Sequence, residues 1–72
     1  MKPYKEEKTG TVVAKNGNLI RIMSPDGHVF CGSKKEDSLK GSDWNVEEGD
    51  VVLLYCVAQE TSPKMTYFQK LA

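Results

Sequence analysis

Two turn signals between residues 16 and 27 constrain this chain more than anything else in it. Asn16-Gly17 is the strong two-residue hairpin pair. Pro25-Asp26-Gly27 presets the first turn position, bonds back to its own backbone, and ends on the residue that tolerates positive φ. The segments flanking these turns alternate. Ile20 and Ile22 fall on one side of a strand with Arg21 and Met23 on the other, and Val29 and Cys31 alternate with His28 and Phe30. Closely spaced turns joined by alternating segments require an antiparallel meander. Its strands are Thr9 to Ala14, Leu19 to Ser24 and His28 to Ser33. The alternation assigns Ile20, Ile22 and Val29 to the core. It assigns Arg21, Met23, His28 and Phe30 to the open face.

The rest of the chain extends this meander. Gly10, inside the first strand, marks a bulge or sharp bend. Residues 34–48 have no clean helical period and take at most one short helical turn, near Ser38 to Lys40. Trp44, Val46 and Leu39 are the large apolar residues there, and Trp44 is read as a core plug. Gly49-Asp50 turns the chain into strand four, Val51 to Val57. This strand is apolar on both sides: Val52, Leu54 and Cys56 against Val51, Leu53, Tyr55 and Val57. Gln59 to Lys64, with Pro63, is a loop. Met65 to Leu71 is strand five, with Tyr67 and Phe68 on opposite faces. Residues 1–8, charged and carrying Pro3, read as a flexible tail before a barrel over 9–72. The fold class is all-β: a five-stranded Greek-key OB-fold barrel with a short plug segment between strands three and four. Val12, Ile20, Ile22, Val29, Val52 and Leu54 are the expected inward positions.

At 72 residues the chain is one domain, and a domain this small buries only roughly 60% of its unfolded surface. Ten cations balance ten acids, which argues against indiscriminate attraction to polyanions but allows a local basic patch. Arg21 is the one arginine, so bidentate recognition rests on it. Cys31 and Cys56 lie in apolar strand patterns and read as buried free thiols in a reducing cytosol. No closely spaced Cys pair exists and His28 is the only His, so no metal or cofactor site is read. Glu47 and Glu48 mark a turn rather than a catalytic pair, and no nucleophile–base arrangement points to an enzyme. No apolar run reaches membrane-spanning length and the N-terminus lacks a signal-peptide core. The expectation is a soluble, cytoplasmic monomer.

Gly10-Thr11-Val12-Val13, Ile20-Arg21-Ile22, Asp26-Gly27-His28-Val29, and Gly49-Asp50 with Val52 two places on, occur in this order. Together they resemble bacterial translation initiation factor one over about residues 9–70. The resemblance implies an OB-fold that docks on ribosomal RNA without catalysis. In that family the loop after strand three carries a basic run. Here the corresponding stretch, Ser33 to Lys40, keeps three lysines and adds Glu36 and Asp37.

The residues themselves point to the same partner class. Arg21 and Phe30 on one open face would contact phosphate and stack on a base, with His28 beside them. Lys34, Lys35 and Lys40, on the loop leaving strand three, would make phosphate contacts. The expected function is therefore RNA binding, with the small ribosomal subunit as a candidate partner and no small-molecule substrate. The alternative is a protein-binding barrel, an adaptor or inhibitor, using Leu53, Tyr55 and Val57 as its contact patch.

Overall fold

The computed structural model describes residues 4–58 and 64–71. Five strands form one antiparallel sheet: β1 (Tyr4–Asn16), β2 (Leu19–Met23), β3 (Val29–Ser33), β4 (Val51–Ala58) and β5 (Lys64–Lys70). Their spatial order is β3-β2-β1-β4-β5. A three-strand meander whose fourth strand returns beside the first is a Greek key. The sheet curls into a part-open barrel of the OB type. Among the described residues no ladder joins β3 to β5. A single 3-10 turn, Asp37–Leu39, packs into that seam.

β1 serves two partners. It pairs with β4 through Tyr4 to Thr11 and with β2 from Thr11 to Asn16. It begins five residues before Thr9, so residues 4–8 are strand, and only 1–3 of the expected tail lie outside the described residues. The apolar β4 supplies a ladder that Lys5 to Lys8 would not seek by propensity alone. The change of partner falls at Thr11, next to Gly10, with a bulge at Val13 just beyond it. Gly10 is buried under β2: a Cβ there would lie 2.6 Å from Ile22 Cγ2 and 3.1 Å from the Met23 carbonyl. The bend therefore depends on a residue with no side chain.

The inner face is assembled from every strand. Val12, Ile20, Ile22, Val52, Leu54, Cys56, Met65 and Phe68 are all buried. Leu39, Trp44 and Val46 plug the barrel end, as the sequence reading of Trp44 anticipates. The Trp44 indole donates to the Leu39 carbonyl at 2.7 Å and meets Phe68 edge-on at 5.1 Å. Its one polar atom is thus satisfied inside the core. The helical turn sits one residue earlier than expected, leaving Lys40 as its C-terminal cap.

β3 corrects the sequence reading. Phe30 is 2% exposed and belongs to the core, whereas Val29 is 45% exposed. The reason is the pairing across the β2–β3 loop. The Ser24 N–H donates to the His28 carbonyl, so three residues, Pro25 to Gly27, span the hairpin, with Gly27 at φ 89°. Ser24 then faces His28, and Ile22 faces Phe30 directly. Even-numbered residues of both strands share one face, and with Ile22 inside, Phe30 must follow it. Cys31 follows Val29 outward and is exposed, so only Cys56 matches the expectation of a buried thiol. Burial raises the Cys56 thiol pKa.

Candidate nucleic-acid interface

The outer face of β1–β3 is built by the same alternation that fills the core. Arg21 projects outward at mid-strand, between Ala14 of β1 and Cys31 of β3. One row of the ladder runs Val29, Met23, Thr11, Val51 across β3, β2, β1 and β4. Its apolar members are 40–48% exposed, and Leu19, at the other end of β2, is 58% exposed. This is a sheet face of alternating apolar and cationic character, bordered by a shallow groove where β1 parts from β2 at Thr9, Met23, Pro25 and Gly27.

The six expected contact residues separate into groups. Arg21 is exposed at mid-β2, and Lys34 and Lys35 are exposed just past the end of β3; the Lys34 N–H donates to the Asn18 carbonyl beside the β1–β2 turn. Lys40 is exposed but lies 3.1 Å from Asp37. His28 is exposed at the opposite end of β3, its ring 4.5 Å from Phe30 and tilted by 59°. Phe30 is removed from the set because it faces the core; His28 covers its outer edge. Leu19, Met23 and Cys31 join the face instead. The period-two pattern of β2 signals the first two, while Cys31 depends on the pairing across the β2–β3 loop.

Electrostatics separates the cations further. Lys8 pairs with Asp26 at 3.8 Å, Lys64 with Glu36 at 3.3 Å and Lys70 with Asp50 at 3.7 Å. Arg21, Lys34 and Lys35 pair with no acid among the described residues. Lys15 is half-buried on the other face of the ladder, across a groove from Glu47 and Glu48.

Two carboxylates hold the β3 ends in place. Asp26 accepts the Ser24 hydroxyl and the His28 N–H, with Lys8 nearby, and these lower its pKa below 3.8. Glu36 accepts the Ser33 N–H at 3.1 Å and pairs with Lys64, which lowers its pKa below 4.5. Both groups bind protons more weakly folded than unfolded. Their stabilisation is complete above the unfolded values and is lost as pH falls through the folded ones. Urea midpoints should accordingly be flat from about pH 5.5 to 7.5 and fall as pH drops through 4.5. The Asp26→Asn variant should be less stable at neutral pH and show a shallower acid decline; a decline as steep as wild type would remove Asp26 from this role.

Compared with family models, curated proteins and solved structures, the chain matches none. No helix among the described residues is long and apolar enough to cross a membrane. Nor do the described residues hold a group of three His, Cys, Asp or Glu suited to a metal ion.

Proposed function

We propose that this chain is a non-catalytic RNA-binding barrel that docks structured RNA on the outer face of β2 and β3. One observation carries the reading. Arg21, Lys34 and Lys35 are exposed and pair with no acid among the described residues, while Lys8, Lys40, Lys64 and Lys70 are neutralised locally. Cations left unpaired on β2 and on the turn leaving β3 attract phosphates, and the exposed Leu19, Met23 and Val29 offer apolar contact to bases. With Phe30 inside the core and His28 on the same side of the ladder against it, the outer face of β2 and β3 has no stacking aromatic. Affinity then comes mainly from phosphate contacts, with a steep salt dependence and little sequence preference. The resemblance to translation initiation factor one makes the small ribosomal subunit the first partner to test.

The test is a titration of a labelled RNA hairpin at several salt concentrations. Three phosphate contacts give a log–log salt slope of about 2–3 in magnitude, and each removed cation should lower it by about 0.7–0.9. Arg21→Ala and Lys34→Ala/Lys35→Ala should both do so, while Lys70→Ala should not. Wild type that fails to bind at low salt, or variants with unchanged slopes, would end the RNA reading. Co-sedimentation with small ribosomal subunits then separates a ribosomal role from a general one.

A further inference from the structure

The other end of the sheet carries a second surface of different chemistry. The ladder places Glu7 of β1, Tyr55 of β4 and Tyr67 of β5 in one row. The two rings are half-exposed, with centroids 5.9 Å apart and planes at 50°. An irregularity opposite Tyr55 and Cys56 inserts Thr66 between Tyr67 and Met65. The Thr66 hydroxyl donates to the Tyr55 carbonyl at 3.4 Å and holds that irregularity. Bulges of this kind re-aim neighbouring side chains. Here it accompanies a surface dent lined by Ser38, Tyr55, Thr66 and Tyr67.

The charge beside the rings is negative. Glu7 is exposed and forms no ion pair among the described residues. It lies beside Tyr55 in the ladder, and its carboxylate raises the Tyr55 pKa. Lys64, at the end of the same strand, is engaged by Glu36. A carboxylate next to Tyr55 repels phosphate and attracts a cation. Ring faces also bind cations through their quadrupoles. A guanidinium satisfies both, stacking on a ring while donating to the carboxylate.

We propose that the Glu7–Tyr55–Tyr67 row is a docking site for a protein partner, which it engages through an exposed arginine side chain. The site is separate from the Arg21 face and does not rest on the RNA reading. Leu53 and Val57, half-exposed on the same side of β4, supply the apolar surround such a contact needs.

The test is an NMR titration of the isotope-labelled chain with acetyl-Gly-Arg-Gly-amide, the matching citrulline peptide, and an oligouridylate. The arginine peptide should shift the amides of Glu7, Tyr55, Thr66 and Tyr67, and the citrulline peptide should not. Tyr67→Leu and Glu7→Gln should each weaken the arginine peptide by about two- to fivefold, as exposed cation–π contacts do. Lys34→Ala/Lys35→Ala should leave it unchanged. Both substituted side chains are solvent-facing, and retained amide dispersion verifies the fold of each variant. Three results would overturn the proposal: no shifts from the arginine peptide, equal shifts from citrulline, or a stronger response of this row to the oligouridylate.

Discussion

Phe30→Ala is expected to lower stability by about 3–5 kcal/mol, the usual cost of emptying a buried aromatic site. Phe30 is 2% exposed, directly opposite Ile22 across the β2–β3 ladder. Its removal opens a void at the centre of the meander and also loses the tilted contact with His28, 4.5 Å away. Aromatic contacts of that kind add about 0.5–1.5 kcal/mol beyond area alone. A chain of 72 residues has roughly 4–11 kcal/mol in all, so the variant should be partly unfolded at room temperature or melt far below wild type. Urea denaturation followed by Trp44 fluorescence reads this directly, because Trp44 is buried against Phe68. Phe30→Leu, which keeps most of the volume, should fold and bind RNA as wild type does. An outward, base-stacking Phe30 demands the reverse. Alanine would then leave the midpoint unchanged and weaken RNA binding by about 1–3 kcal/mol. One pair of variants therefore decides between the two orientations of β3.

The orientation of β3 shows where sequence reading stops. The alternation of β2 is visible because Ile20 and Ile22 contrast with Arg21, and the structure buries the first two and exposes the third. In β3 neither alternating set is clearly more polar: Val29 and Cys31 compete with Phe30 and Gly32. Parity then depends on which residues pair across Pro25-Asp26-Gly27. Only the hydrogen bond from the Ser24 N–H to the His28 carbonyl decides this. Strand four was legible for the opposite reason. Its inner residues are Val52, Leu54 and Cys56, and its outer ones are half-exposed, so an apolar run on both faces is what the fold requires. The first half of β1 was hidden because charged residues carry little strand propensity. Its pairing with β4 is a long-range contact that no local pattern announces. A similar distance in sequence separates Glu7 from Tyr55 and Tyr67, so the sequence marks Leu53, Tyr55 and Val57 as a patch but not the carboxylate and second ring beside it. Arg21, Lys34 and Lys35 were visible because a strand face and the turn leaving it are local features.

Gly10→Ala should cost about 1–3 kcal/mol, the range for overpacking, and most of that cost should disappear in one specific background. The new Cβ would stand 2.6 Å from Ile22 Cγ2, the stiff branch of a fully buried side chain, with the Met23 carbonyl and Leu54 Cδ2 at 3.1 and 3.2 Å. An isoleucine in a packed strand cannot turn its Cγ2 aside without leaving its rotamer well. β1 must therefore move away from β2 at the point where it changes partner. Ile22→Ala alone should cost about 2–5 kcal/mol through lost burial and the cavity it leaves. It also removes the atom that obstructs Gly10, and the methyl of an alanine at position 10 would enter the space vacated. The double variant should accordingly be more stable than the sum of the single costs allows, by a coupling energy of about 0.5–3 kcal/mol. Ile22→Val keeps Cγ2 and should give no such relief. Equilibrium urea denaturation of wild type, the three single variants and the two doubles reads the whole cycle. Equal, non-zero coupling in the alanine and valine backgrounds would place the obstruction at Ile22 Cδ1, which both substitutions remove, rather than at Cγ2. Strict additivity in both would show that the Met23 backbone, not the Ile22 side chain, sets the cost at Gly10.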